Sequence, residues 1–279
     1  MGPKPRYSGQ SNNEGKEWTF DTAADSYEKI RPGYPDELYD ALQSYCPLSP
    51  GSSTVEVGIG GGQATLPVLK RGCSVTAVEC GEHLAGICRE KFANFPGFSV
   101  ITDRFEHADL PGDTFDLVYS ASAFHWIPEK TGYEKVFRIL KPGGTFARFA
   151  NHPYRGKDDP DLFREIDQVY AGYYYPYYGK QPEPIREYTR EQAAERAMIA
   201  EKYGFTSIKY ALFYRTRVLS ANEYRMLLGT YSDHIAMEES IREIFFDAVE
   251  ETIRRHGGTI TLSDTIDLQL SKKPDPLKH

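Results

Sequence analysis

No stretch of this sequence approaches the roughly 18 consecutive apolar residues of a membrane-spanning helix, and the N-terminus MGPKPRYSGQSNNEGKEW lacks the apolar centre of a secretion signal. Cysteine is scarce. Cys46, Cys73, Cys80 and Cys88 form no C-x-x-C pair and fall inside apparent helices and strands, which argues against a disulfide framework and against structural zinc. The histidines show no metal-ligand spacing. No run of like charge reaches the roughly five or six that mark an interaction tail. With 33 basic residues against 40 acidic ones, a net charge of −7, the chain lacks the basic face that duplex nucleic acid requires. These absences lead us to expect a soluble, cytoplasmic protein without metal, membrane or nucleic-acid partners. No internal repeat is present, and the only biased segment is a tyrosine cluster.

Residues 1–17 are polar and poor in large apolar groups, which predicts a mobile tail. Over residues 18–50, Tyr27, Ile30, Leu38, Leu42 and Tyr45 recur at helical intervals, and Pro32 and Pro35 divide the pattern into two short helices around the corner RPGYP. Between 51 and 150, β-rich runs alternate with helical ones. Strands are expected at Thr54–Val57, Ser74–Val78, Phe98–Thr102, Phe115–Tyr119 and Thr145–Phe149, and helices at Gln63–Lys70, Glu82–Phe92 and Glu129–Leu140. Such alternation implies a doubly wound α/β fold on a parallel sheet, with its ligand site beyond the strand C-termini where strand order reverses.

Residues 151–206 change character. A helix from Asp161 runs toward the aromatic stretch YAGYYYPYYGKQPEP, and another helix is expected over Arg190–Lys202. Residues 207–279 hold a strand at Ser207–Leu219, helices at Ala221–Tyr231 and Glu238–His256, and a last strand, TITLSDTIDLQLS, with Ile266, Leu268 and Leu270 on one face. The two strands are too far apart in sequence for a tight hairpin.

The first strand ends in four glycines among five residues, VGIGGG. Glycines there let the backbone turn tightly and approach a ligand, and the next helix offers unpaired N–H groups. A phosphate-binding P-loop would need lysine and serine or threonine after the last glycine, but Gly62 is followed by Gln63 and Ala64. A dinucleotide fingerprint counted from Gly58 and Gly60 needs a third glycine where Gln63 stands; counted from Gly60 and Gly62 it meets Thr65. What remains is acidic-x-Gly-x-Gly-x-Gly: Glu56, Gly58, Gly60, Gly62.

In that motif the chain resembles the class I S-adenosylmethionine-dependent methyltransferases, and the likeness continues in Glu79 at the second strand end, in ITDRFE, in FDLVYSASAFHWI and in RILKPGG. It covers about Phe20 to Asn151. FHWI and the N-terminal FDTAADSYEKIRPGYP are similar to the small-molecule branch that includes the trans-aconitate enzymes. The resemblance implies a Rossmann-like, mostly parallel seven-stranded sheet with a helical, aromatic insert and an antiparallel last strand. It implies S-adenosylmethionine as cofactor, with Glu56, Gly58, Gly60, Gly62 and Gln63 at the methionine part, Glu79 at the ribose, Arg104, Phe105 and Glu106 at the adenine, and Ser120 and Ala121 at the sulfonium side. Tyr27 and Arg31 would close the pocket, with Arg31 on the cofactor carboxylate. An acidic site without a phosphate-clamping lysine suits a sulfonium and an ammonium better than a pyrophosphate.

Other readings compete at several positions. Arg31 could pair with Glu28 on its own helix. His125 is a candidate general base or acceptor-pocket residue, set between Phe124 and Trp126. Tyr173, Tyr174, Tyr175, Tyr177 and Tyr178 could wall an aromatic acceptor, face a cationic centre or form a dimer contact. We expect Trp18–Tyr34 to act as a lid and the segment after Ala150 to form the acceptor pocket. The expected activity is methyl transfer to oxygen, nitrogen or carboxylate of a small molecule, largely by proximity and orientation, in a monomer or homodimer. A nicotinamide-dependent oxidoreductase and a non-catalytic S-adenosylmethionine binder are the rivals; a nucleic-acid methyltransferase is disfavoured by the acidic charge and the missing Asn/Asp-Pro-Pro-Tyr element.

Overall fold

The computed structural model describes residues 30–276. Helix α1 (Asp36–Tyr45) precedes β1 (Ser53–Val57), α2 (Thr65–Leu69), β2 (Ser74–Glu79), α3 (Glu82–Lys91) and β3 (Phe98–Thr102). There follow β4 (Phe115–Ala121), a 3-10 turn at Phe124–Trp126, α4 (Glu129–Ile139) and β5 (Leu140–Tyr154). The remainder comprises α5 (Pro160–Gly172), α6 (Tyr174–Tyr177), α7 (Arg190–Met198), a 3-10 turn at Ile199–Tyr203, β6 (Thr206–Ser220), α8 (Ala221–Leu228), α9 (Ser232–Ile235), α10 (Glu239–Arg255) and β7 (Thr259–Lys272).

The seven strands form one sheet in the order β3-β2-β1-β4-β5-β7-β6. The first five are parallel; β7 runs antiparallel between β5 and β6. Because crossovers lay helices on both faces, the inner strands are nearly continuously buried, as in β1 and β4. One core cluster joins Leu38 and Leu42 of α1 to Leu117, Phe149 and Leu268; a second, on the opposite face, joins Val57, Val118 and Phe146 to Ile139 of α4 and Phe205.

Several element boundaries differ from expectation. The strand expected at Thr145–Phe149 is the middle of a 15-residue β5, because β7 supplies antiparallel partners as far as Tyr154. Its pairing with β4 shifts register between Phe115 and Leu117, where KPGG bulges out; a Cβ on Gly144 would lie 2.8 Å from the Lys141 carbonyl. The helix expected from Gln63 begins only at Thr65. The helix expected from Asp161 runs from Pro160 to Gly172, and the aromatic stretch that follows it holds the one-turn α6. Among the described residues, no helix is long and apolar enough to cross a membrane, and no cluster of His, Cys, Asp or Glu could hold a metal ion.

Helices α5, α8 and α10 share a third core with Ile260 and Leu262 of β7. Phe245, Val249 and Ile253 recur on one face of α10, and α8 is held at its start by a reciprocal Ser220–Glu223 capping box. Phe245 is fully buried there. Truncation to alanine leaves a cavity as well as losing the transfer free energy, so Phe245→Ala should lower unfolding stability by about 3–5 kcal/mol in denaturant titrations. A change below about 1 kcal/mol would mean that this helical layer does not unfold with the sheet.

Candidate functional site

The chain leads outward from β1 to β2 and β3 and then returns to β4, so strand order reverses between β1 and β4. At that seam two segments of left-handed backbone face each other. Gly58 has φ +71° and Gly60 φ +54°, and a Cβ on Gly58 would lie 2.4 Å from the Ala123 Cβ. Glycine is therefore required at position 58 twice over. Ser122, directly after β4, holds φ +56° without being glycine. Its N–H donates to Phe149 O at 2.8 Å, and its Oγ lies 2.9 Å from the Tyr34 hydroxyl and accepts from Asn151 N at 3.3 Å. Such fixed, sparsely populated backbone concentrates at working sites.

A cleft opens between these segments. Gly58, Gly60 and Gln63 form one wall, Glu79 and Arg104–Glu106 another, Ala121–Ala123 a third, and Arg31 and Tyr34 lie across it. Glu79 ends β2 with its side chain nearly buried. Its Oε2 accepts from Gly60 N at 2.9 Å and its Oε1 from Gly81 N at 3.0 Å. Cys80 Sγ also donates to Oε1 at 3.6 Å, so of the roughly four acceptor positions of a carboxylate at least three are taken within the protein. Burial raises its pKa against those backbone donors.

Three sequence expectations are corrected here. Glu56 does not wall the cleft: it is fully buried beneath the glycine turn, and its Oε2 accepts from Thr65 Oγ1 at 2.6 Å and from Tyr119 Oη at 2.8 Å. It ties the start of α2 to β4. Ser120 faces inward and donates to Val57 O at 2.8 Å, so the cleft is lined by Ala121 and Ser122 instead; alternation along β4 alone decides this. Gly62, with φ +74°, serves packing, since a Cβ there would lie 2.6 Å from the Phe92 ring. Arg31 lines the cleft, with Nε donating to Thr230 Oγ1 at 2.9 Å, Nη2 to Thr230 O at 2.8 Å, and the guanidinium 4.5 Å from the Tyr231 ring centre. Tyr27 and Glu28, with most of the expected lid, lie outside the described residues.

A second cavity of about 660 Å3 adjoins the cleft and shares Arg31, Ser122, Trp126, Ile127 and Asn151 with it. His125 belongs to this cavity, not to the cleft. The stretch Phe124–Trp126 is a 3-10 turn, not extended, so the histidine leaves Phe124 in the core and opens outward with Trp126. His125 is exposed by surface area, yet partial desolvation within the recess, then the guanidiniums of Arg196 and Arg148, lowers its pKa to about 4. Sequence reasoning had Tyr34 only as the end of the expected lid, and it missed Asn151, His152, Arg148 and Arg196. A charged residue inside the apolar run FARFA was the available signal for Arg148. The tyrosine cluster walls neither of these two cavities: Tyr174, Tyr175 and Tyr178 pack on the third core, and Tyr174 Oη donates to Asp233 at 2.6 Å.

Two predictions follow from Gly58 and Glu56. Gly58→Ala adds left-handed strain of about 1–2 kcal/mol to a steric overlap, and should lower the melting temperature by several degrees; an unchanged value would contradict the seam as described. Burial raises the Glu56 carboxyl to about 7, against the Thr65 and Tyr119 hydrogen bonds and with added repulsion from Glu79. The folded protein thus keeps a proton that an unfolded glutamate releases near 4.5. That contribution is complete below about pH 4.5 and is lost as pH rises to about 7, up to ~3 kcal/mol in all. Glu79 shifts in the same direction and persists in the variant. Denaturant titrations across this window should therefore fall less steeply for Glu56→Gln than for wild type, and equal slopes would refute the assignment.

A methyltransferase-domain family model matches residues 55–148, the stretch that contains β1 to β4, α4 and most of the β4–β5 pairing. An uncharacterized methyltransferase of Schizosaccharomyces pombe is 24% identical over 248 residues, covering 86% of this chain and 90% of that protein. An uncharacterized methyltransferase of Mycobacterium tuberculosis is 29% identical over 126 residues, covering 45% of this chain and 49% of that one. In fold, the chain is similar to phosphoethanolamine N-methyltransferase 2 of Haemonchus contortus, solved with phosphomonomethylethanolamine and S-adenosylhomocysteine. The TM-score is 0.53 at 17% identity over 91% of this chain and 58% of that one, so this chain spans little more than half of the nematode protein. The YcgJ protein of Bacillus subtilis superimposes with a TM-score of 0.54 at 12% identity, over 86% of this chain and all of that one. With its glycine turn, switch-point cleft and matched domain, the chain carries a methyltransferase domain and is similar to the S-adenosylmethionine-dependent methyltransferases, and S-adenosylmethionine is its cofactor.

Proposed function

We propose that the protein methylates a small molecule, at oxygen, nitrogen or carboxylate, and that the 660 Å3 cavity is where the acceptor sits. The observation that carries this reading is the shared wall: the cleft and the cavity meet along Ser122, Trp126 and Asn151, so a group bound in one can face the other without crossing solvent. A cavity of this size suits a metabolite-sized ligand.

The residues around the cleft fit the cofactor. Backbone groups of Gly58 and Gly60, with Gln63, would receive the amino-acid end, the carboxylate of Glu79 the ribose hydroxyls, and Arg104, Phe105 and Glu106 the base. Ala121 would lie at the sulfonium side. Lys91 donates to Gly61 O at 2.8 Å and does not line the cleft, and among the described residues no lysine lines it. Arg31 and Tyr34 would roof the site, with Tyr27 beside them as the resemblance implies. Kinship with the trans-aconitate branch rests on FHWI and on an N-terminal motif mostly beyond the described residues.

S-adenosylmethionine brings a methyl group on a sulfonium, with a neutral thioether as leaving group. The protein's share is then to hold the acceptor in line, about 3 Å from the methyl, and to keep water out. His125, largely neutral above about pH 4, can line the cavity without acting as base. His125→Ala should therefore retain methyl transfer within about tenfold, whereas loss of a true general base costs roughly a hundredfold or more.

Thermal unfolding with S-adenosylhomocysteine, NAD and NADP tests the cofactor side. Only the first should raise the melting temperature, and Glu79→Ala should weaken it at least tenfold by calorimetry. Stabilisation by NAD, or unaltered affinity in Glu79→Ala, would count against the site. Incorporation of labelled methyl groups across an acceptor library tests the reaction, and transfer only to macromolecules would refute the small-molecule reading.

A further inference from the structure

We infer that the acceptor cavity contains an oxyanion subsite built on Arg148, so that the molecule methylated carries a carboxylate or a phosphate-type group. The inference rests on the acceptor reading of that cavity. Arg148 stands on β5 in register with Ser120 of β4 and Gln269 of β7, and only 9% of it is exposed. It nevertheless lines the cavity. One of its amino groups donates to the Tyr133 hydroxyl, its guanidinium lies 4.9 Å from the Phe124 ring centre, and its Nε has no hydrogen-bond partner.

Among the described residues, no carboxylate pairs with it. The acids around the cavity are engaged elsewhere: Glu129 accepts from Tyr203 Oη at 2.9 Å, and Asp233 from Tyr174 Oη at 2.6 Å and His234 Nδ1 at 2.9 Å. A buried guanidinium without a counter-charge is an unfavourable arrangement unless something completes it. Its planar donor fork matches the oxygens of a carboxylate or phosphate.

A second positive group faces the same space. Arg196 lines the cavity with His152, and both are tethered from behind by Asp267, whose side chain is fully buried: His152 Nε2 lies 3.1 Å and Arg196 Nη1 3.6 Å from its oxygens. Asp267 is thereby a positioning residue, and its single negative charge does not offset Arg148 and Arg196 together. The lowered pKa of His125 has the same cause, after desolvation, in Arg196 and Arg148.

The test uses the full chain saturated with S-adenosylhomocysteine, titrated in a calorimeter with succinate, with inorganic phosphate and with uncharged succinamide. Wild type should bind at least one of the two anions saturably and should not bind succinamide; which anion binds distinguishes a carboxylate from a phosphate-type group. Arg148→Met should lose at least tenfold in anion affinity while its S-adenosylhomocysteine affinity stays within about twofold. Arg148→Lys, which keeps the charge and loses the fork, should fall between the two. Arg196→Gln should weaken anion binding even if Arg148→Met does not fold. Binding of neither anion to wild type, or unchanged anion binding in the folded Arg148 and Arg196 variants, overturns the subsite while leaving the methyltransferase reading intact. Failure of wild type to bind S-adenosylhomocysteine would remove that reading, and this inference with it.

Discussion

The near contact between Gly58 and Ala123 governs the site. Two strand ends meet with no room for one methyl group between them, and both turn away through left-handed backbone, at Gly58 and Ser122. Everything that makes the cleft depends on that proximity. It sets Glu79 beside the Gly60 N–H, it brings Tyr34 and Asn151 onto the Ser122 hydroxyl, and it places the acceptor cavity directly against the cofactor cleft. The acidic residue of the glycine motif, Glu56, works from below: as a buried carboxyl shared by Thr65 and Tyr119, it fixes where helix α2 starts relative to β4.

The cleft and the cavity differ in their charged lining. Glu79, Asp103 and Glu106 stand with Arg31 and Arg104 around the cleft, whereas Arg148, Arg196 and His152 stand with Arg31, Glu129 and Asp233 around the cavity. Strand β7 supplies much of this order. Inserted antiparallel between β5 and β6, it buries two carboxylates that each gather two basic side chains. Asp267 holds His152 and Arg196; Asp264 holds Arg215 and Arg217 at 3.0 and 2.6 Å. Arg215 also reaches Gly33 O at 2.9 Å and Asn151 Oδ1 at 3.3 Å, which ties an outer strand to the segment roofing the cleft. Buried ion pairs are weak sources of stability, but in this arrangement they fix the positions of groups that line the site.

The cleft was legible in the sequence because its parts are local. The glycine turn, the acid at the end of β2 and the ITDRFE loop each lie within a few residues of a strand end, and a parallel βαβ pattern dictates that those ends converge. Errors arose where one residue of strand alternation decides the facing, as at Ser120, and where a buried group supports rather than lines, as at Glu56 and Gly62. The tyrosine cluster drew attention by composition, yet it lines neither cavity, and Tyr174 packs on Phe245 and His234.

The second cavity was not legible, and its geometry explains why. Its walls come from positions 31, 125, 148, 196 and 231, supplied by five separate segments, and they are braced by β7 returning between β5 and β6 after an excursion of three helices. No spacing rule connects such residues. Only an arginine in the apolar run of β5 stood out, and burial of a cation is informative once its lack of an acidic neighbour is known. It follows that two chains sharing the glycine turn and the β2 acid can differ wholly in what they methylate: substitution at the Arg148 or Asp267 position would alter the cavity's charge without touching a residue of the cofactor motif. On the proposed reading, the acceptor is therefore written in the buried polar residues of β5 and β7, where charge, not periodicity, carries the information.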